Sequence, residues 1–329
     1  RNADISIPIN PEEPESKKLE IKDLRAKIII PNDIIEIKYF EGYVNGIRMN
    51  LMGSLLRSQQ KPNEIINSSI AEEKLNFIKE GRELIDRALN EITQLEFKKN
   101  NPPHIQIKFT SDIDRPSTTS AIAIINATDV KRAGYKYESF YANAEYINSN
   151  INLKELRITD RKGTLFGDAN WSINSKKIPF NIKSTINFQS LLSSFGHRSL
   201  LDDITFINAP LIEAKGELNF ENLELSHNNA PKLQIELIGT FQSGSFISKE
   251  ILFEEAYADF SYKNNKWYAR NLILEHASGT ANGNILWDTL SNIQFETEIN
   301  MDPTVFVPFF KAPPKFLTNF KFEENPTVH

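Results

Sequence analysis

The chain has 329 residues, a formal charge of −5 from 38 Lys and Arg against 43 Asp and Glu, and no Cys. Without Cys there are no disulfides, thiolate metal sites or Cys nucleophiles. Cations are spread along the sequence, so no basic patch marks a nucleic-acid surface, and no run approaches the roughly 18 apolar residues of a membrane-spanning helix.

In chain order, residues 1–18 read as a polar, Pro-containing lead-in. A chain that opens on Arg1 reads as a segment of a longer protein. Residues 19–56 then alternate apolar and polar side chains, with Pro31-Asn32-Asp33 dividing Leu24–Ile30 from Ile34–Phe40. Period-two alternation places every second side chain on one face of a sheet. Asn and Asp suit such turns because they bond their own backbone and tolerate positive φ. Ser69–Phe97 breaks the pattern. Leu75, Ile78, Ile85, Leu89, Ile92 and Leu95 recur at helical spacing behind a Ser69-Ile70-Ala71-Glu72 capping box. Asn100-Asn101-Pro102-Pro103 stops this long amphipathic helix. His104–Phe109 returns to strand, with Ile105, Ile107 and Phe109 on one face.

The rest of the chain carries an internal repeat. Residues 141–171 recur without a gap at 257–287, a constant offset of 116, with 9 identities in 31 positions. The identities are mostly aromatic, Gly and turn Asn positions, including Tyr141/Tyr257, Gly163/Gly279, Gly167/Gly283 and Trp171/Trp287. Repeated supersecondary units of this kind stack into extended scaffolds. Each copy predicts a meander: an aromatic strand, an Asn turn (Asn148-Ser149-Asn150 or Asn264-Asn265), a strand ending near the first Gly, and a strand ending near the Trp. The copies extend over about 134–195 and 251–310. Ile186-Asn187-Phe188 and Ile299-Asn300-Met301 are expected to correspond, and short helical turns follow at Gln189–Phe195 and Pro303–Phe310. A weaker third copy is expected near 19–56, where Gly42 and Gly46 keep the Gly-x-x-x-Gly spacing. Lys315–Phe322 reads as a last strand, and 323–329 as a frayed tail.

Apolar residues alternate along Phe180–Phe188, Leu233–Leu237 and Ile293–Met301. Phe180, Ile182, Ile186, Phe188, Leu233, Ile235, Leu237, Phe295 and Ile299 are therefore the candidates for a greasy sheet face. Gly163, Gly167, Trp171, Gly279, Gly283 and Trp287 read as structural positions of the repeat. Gly in a strand permits a bend or close approach, and paired Trp more often pack than bind. No catalytic cluster emerges, and no enzyme, cofactor or metal is expected. His104, His197, His227, His276 and His329 are far apart, and adjacent Asp202-Asp203 point away from one another. About fifteen strands at about 4.8 Å make a sheet about 70 Å long. A 29-residue helix spans at most about 44 Å, so it cannot cover such a face alone.

The strings Gly163-Thr164-Leu165-Phe166-Gly167-Asp168-Ala169-Asn170-Trp171 and Gly279-Thr280-Ala281-Asn282-Gly283-Asn284-Ile285-Leu286-Trp287 resemble the C-terminal region of AsmA-like proteins. The likeness covers about 134–310, with 19–56 looser and the Ser69–Phe97 helix unmatched. It implies membership of the repeating β-groove, bridge-like lipid-transfer proteins. These are periplasmic and anchored in the inner membrane, here through a segment outside this chain. The expected fold is mainly β: an elongated, curled antiparallel meander, taco- or groove-like, built from repeats with one long amphipathic helix inserted. The expected function is non-enzymatic binding or conduction of phospholipid or another acyl lipid in outer-membrane homeostasis, with inner- and outer-membrane proteins as partners and no nucleic acid. Two rivals stand beside it. One is a closed-core structural or protein-interaction scaffold. The other is a carbohydrate-processing or carbohydrate-binding β-solenoid, which needs an exposed aromatic row with carboxylates beside Tyr141, Tyr257 and the Trp pair.

Overall fold

A computed structural model describes residues 3–8, 18–32, 34–57, 94–115, 118–172, 175–186, 188–194, 203–221, 232–264, 266–288, 292–310, 312–313 and 315. The described chain is mainly β and its contacts divide into two compact units. The expected Ser69–Phe97 helix falls at 69–93 outside the described residues. Its last turn departs from the expectation, because Leu95–Glu96 is a short strand.

The first unit comprises residues 1–158 and 170–174. Its strands are β1 (Ala3–Pro8), β2 (Lys18–Ile29), β3 (Ile34–Val44), β4 (Ile47–Leu56), β5 (Leu95–Glu96), β6 (His104–Asp112), β7 (Ser120–Arg132), β8 (Tyr135–Ile147) and β9 (Asn150–Thr159). Strand β1, inside the expected lead-in, pairs with β2 through Ile5↔Ile21 and Ile7↔Leu19. Antiparallel pairing continues through β2–β3 and β3–β4, and again through β6–β7 and β7–β8. Strands β4 and β6 are parallel, Met49 beside Ile105 and Gly53 beside Phe109. A parallel pair cannot be closed by a tight turn. Strand β5 extends β7, with Leu95 opposite Arg132.

Turn chemistry sets the hairpins. Asn45-Gly46, Ala133-Gly134 and Asn148-Ser149 each place two consecutive residues at positive φ, the signature of the two-residue turn whose twist matches antiparallel strands. Asn32 and Asn264 also have positive φ, where the sequence predicts turns. Gly46 lies in a hairpin turn whereas Gly167 lies within a strand. The Gly42–Gly46 spacing therefore has a different structural meaning from Gly163–Gly167.

The second unit comprises 159–169 and 175–329. Its elements are β10 (Thr164–Ser172, of which 164–169 belong here), β11 (Lys177–Ser184), α1 (Phe188–Ser194), β12 (Ile204–Phe206), β13 (Leu211–Glu221), β14 (Lys232–Ser243), β15 (Phe246–Ser248), β16 (Ile251–Phe253), β17 (Glu255–Lys263), β18 (Lys266–His276), β19 (Gly279–Asp288), β20 (Asn292–Asn300) and a 3-10 helix, Pro303–Phe309. Antiparallel pairing runs β10-β11-β13-β14-β17-β18-β19-β20. The short strands β12, β15 and β16 make a separate sheet. The 3-10 helix starts where Asp302 accepts from Thr304 N at 2.9 Å and Pro303 presets φ.

The repeat is structural. Strands β8, β9, β10 and β11 with α1 recur as β17, β18, β19 and β20 with the 3-10 helix. Within the fourth strand the offset falls to 115: Leu165 faces Ser184, and its equivalent Ala281 faces Ile299. Ile186 therefore matches Met301, not Ile299 as the sequence suggested. Both are fully buried at 0% exposure.

Candidate functional site: an apolar sheet face covered at one end

Paired residues of an antiparallel sheet share a face, so the second unit can be read in rows. One row runs Phe180, Gly216, Leu237, Tyr262, Trp267, Trp287 and Ile293. The next runs Ile182, Ala214, Gly239, Phe260, Ala269, Ile285 and Phe295. Toward the helical end follow Ser243, Ala256, Leu274, Ala281 and Ile299. Neither of the first two rows contains a charge. Small residues alternate with rings: a Cβ at Gly239 would run into the Glu213 carbonyl oxygen of the neighbouring strand and would also lie 2.9 Å from Phe260 Cζ, so the close approach of the strands requires a glycine there. Tyr262 and Trp267 rings are 4.7 Å apart, and Trp267 is 6.1 Å from Phe260.

The helical end of this face is closed by side chains. Phe206, Phe246 and Phe253 from the small sheet pack with Ala256, Ala281, Met301 and Val305. Phe246 stacks on Phe253 at 5.1 Å, and Phe253 is 2% exposed. Away from that end Phe180, Ile182, Leu237, Phe260, Tyr262, Trp267, Ile285 and Trp287 are half-buried, and Phe295 is 57% exposed. The face is thus a packed core at one end and an accessible apolar surface at the other.

The opposite face carries the charged residues, with Phe166, Ile238 and Ile273 exposed among them. Ion pairs Lys177–Glu217, Lys183–Glu213 and Lys263–Glu236 join neighbouring strands. The hydrogen bond to Glu217 holds the Lys177 ammonium above its ordinary pKa. Here β18 bulges: Asn271 has φ 51°, and the register shifts between Ala269 and Leu272. Asn271 Nδ2 donates to Asp259 Oδ2 at 2.6 Å, and Tyr257 Oη donates to Asp259 Oδ1 at 2.9 Å. These two bonds, Asn271 first, hold the Asp259 carboxyl below the usual carboxylate range, and the Asp259 bond raises the Tyr257 phenol. The first copy has Asn143 and Glu155 where the second has Asp259 and Asn271. The network therefore pins one bulge and is not a repeated site.

The expected face residues separate into three groups. Phe180, Ile182, Ile235 and Leu237 lie on the half-buried part, and Phe295 is its most exposed member. Ile299 packs against the closed core. Ile186 is a correction: it lies beyond the end of β11, fully buried, and has no surface to offer a ligand. Phe188 is likewise not on the strand, since it begins α1. The side chains of Phe188 and Leu233 lie outside the described set. The sequence reading missed Phe260, Tyr262 and Trp267, whose strands it had located; their hairpin pairing would have placed them on the face.

The repeat glycines hold connections together. A Cβ at Gly163 would run into the Thr185 carbonyl oxygen, and one at Gly279 into that of Asn300. A Cβ at Gly283 would meet the Glu296 carbonyl oxygen, while Gly167 pairs with Ile182. Trp171 is half-buried near the end of β10, and Trp287 lies between Trp267 and Ile293. Before each first Gly a side chain clamps the turn. Asp160 Oδ1 accepts from Lys162 N and Gly163 N at 2.7 and 2.8 Å, and His276 Nδ1 accepts from Ser278 N at 3.1 Å.

The first unit presents a similar face. Gly53, Phe109, Ala121 and Tyr146 form one row, and Leu51, Ile107, Ala123 and Ala144 the next. On the other face His104 is half-buried, with Nε2 lacking a hydrogen-bond partner. Desolvation and then Arg48 hold its imidazole below the ordinary pKa.

Among the described residues, no three His, Asp or Glu side chains are grouped to hold a metal ion, and no helix is long and apolar enough to cross a membrane. Asp203 of the Asp202-Asp203 pair bonds Lys249 at 2.8 Å. Comparison with family models, with curated proteins and with solved structures finds no match to this chain.

Proposed function

We propose that the apolar face binds acyl chains of phospholipid or a related lipid, and that the chain is a non-enzymatic segment of a curled, groove-like lipid-conducting protein of the cell envelope. The observation that carries the reading is the uneven cover of one continuous face. Side chains close its helical end, while Phe180, Leu237 and Phe295 remain accessible to a ligand. Burial of each CH2 contributes about 0.8 kcal/mol, so a chain lying across several strands gains enough to bind without polar contacts. A face free of charges offers no fixed stop to sliding. The periplasmic setting, inner-membrane anchorage and membrane-protein partners follow the resemblance to AsmA-like proteins and belong to the same proposal.

Native mass spectrometry of the purified chain, with thin-layer chromatography of its solvent extract, tests this. Bound acyl lipid is expected, and Leu237→Glu, which places a charge in the middle of the face, removes it. Lipid-free protein whose stability is insensitive to added lipid would sink the reading. The Phe206–Phe246–Phe253 core favours a second reading, a closed structural scaffold, for the helical end alone.

A further inference from the structure

Strand β20 closes the second unit's antiparallel series, and among the described residues it pairs only with β19. Its outer edge is a regular template. The nine residues Asn292–Asn300 contain no Pro and no Lys, and their register against β19 runs without a shift. Edge strands are ordinarily blunted by shortness, Pro, Lys or a bulge, because their open N–H and C=O groups invite another strand. The first unit's outer strand β1 shows such devices: six residues, a register shift between Ala3 and Ile5, and Pro8 at its end.

The internal repeat shows what such an edge carries. At the offset of 115, β20 corresponds to β11, whose second edge is covered by antiparallel β13. There Phe180 lies between Ala169 and Gly216 and is half-buried. Its counterpart Phe295 has Ile285 on one side, no described strand on the other, and is 57% exposed. Charge is reversed between the copies. On β11, Lys177 and Lys183 pair with Glu217 and Glu213 of β13. The same face of β20 carries Asn292, Gln294, Glu296 and Glu298, and both carboxylates are exposed with no ion pair to another described residue. A second copy of this chain does not fit: β20 against itself opposes acid to acid, and β1 brings Asp4 and no cation. The element that follows β20, the 3-10 helix Pro303–Phe309, packs into the closed core through Val305. We infer that the outer edge of β20 takes an added antiparallel strand from a separate polypeptide, with small apolar residues beside Phe295 and Thr297 and Lys or Arg beside Glu296 and Glu298. Backbone hydrogen bonds supply the affinity of such an addition, and alternate side chains the choice of partner. This does not depend on acyl chains lying along the sheet face.

Fluorescence anisotropy of labelled peptides with the full chain tests the edge. One peptide has the sequence of residues 211–219, taken from β13; the other is the same with Glu213→Lys and Glu217→Lys. In the register of β11 on β13, position 213 falls beside Glu298 and Lys215 beside Glu296. The cationic peptide should bind about tenfold more tightly than the parent sequence, because cross-strand repulsion becomes attraction. Glu298→Lys in the protein should reverse that preference with an unchanged urea midpoint. Two further cationic peptides, N-methylated at odd or at even positions, leave the protein untouched. One should lose binding and the other keep it, since an antiparallel ladder engages the N–H groups of alternate residues on each side. The chain alone should sediment as a monomer. No binding of the cationic peptide overturns the inference, as do equal responses to the two methylated peptides or an unchanged preference in Glu298→Lys. A dimer that the peptide dissociates makes a second copy the occupant and likewise overturns it. Peptide binding reads the edge and co-purified lipid reads the face, so either proposal can fail alone.

Discussion

Replacing Phe253 and Phe295 separately by Ala tests whether the apolar face has a closed and an accessible part. Phe253 is 2% exposed, stacked on Phe246 at 5.1 Å with Phe309 at 6.4 Å. Its truncation loses transfer energy and leaves a cavity, which costs about 4 kcal/mol. Phe295 is 57% exposed, and its ring meets Phe310 edge-on at 6.5 Å. Less than half of its roughly 200 Å² is buried, which at about 25 cal/mol per Å² bounds the loss near 2 kcal/mol; with no cavity and part of Cβ kept, about 1 kcal/mol is expected. Urea unfolding of delipidated protein gives both values. Repeating it with a saturating acyl ligand adds ligand linkage to the parent, and Phe295→Ala should lose part of that increment while Phe253→Ala keeps it. Equal destabilisation by the two variants in the delipidated protein would refute the division of the face.

Other consequences are simpler to check. Gly279 has φ +140°, and a Cβ there would strike the Asn300 carbonyl oxygen, whereas Gly244 has open space around it. Gly279→Ala should cost about 3 kcal/mol and Gly244→Ala less than about 0.5 in the same urea assay. Asn271→Ala loses both a tolerated positive φ and the bond to Asp259, for about 2 kcal/mol. Asn271→Gly keeps the φ, so its unfolding midpoint should fall roughly half as far. For His104 the folded pKa lies below the unfolded one, because burial and Arg48 oppose the charged ring. The unfolded chain then binds the extra proton. Stability should be full above the ordinary imidazole pKa and decline as pH falls below it toward the folded value. His104→Gln should flatten that part of a midpoint-against-pH curve.

The parts legible in the sequence were those with a local cause. Alternation exposed β6, β14 and β20, and turn residues Asn32, Asn148 and Asn264 marked hairpins because their positive φ is a property of the residue itself. The repeat identified the paired meanders. What escaped depends on distant partners. Strands β12, β15 and β16 have three residues each, too few to show a period, yet they supply the aromatic lid of the closed end. Lys249-Glu250 makes a positive-φ turn without Asn or Gly, and the bulge at Asn271 is selected by Asp259 on another strand. The parallel β4–β6 pair is invisible to alternation, which reports a face and not a neighbour. For the face itself, alternation found Phe180, Leu237 and Phe295. It could not reveal that Ile186 lies past the end of its strand.

The change of offset in the fourth strand has a consequence for how such a chain grows. One residue fewer separates Trp287 from Phe295 than separates Trp171 from Phe180. Placed within a strand, that deletion would have turned every following side chain to the other side of the sheet. Here the apolar alternation emerges in phase, Phe180 facing Ala169 and Phe295 facing the equivalent Ile285. The connection has absorbed the difference. Copies of this meander are therefore modules whose joints tolerate changes in length, and a joint is where a further copy can be spliced without disturbing the surface its strands present.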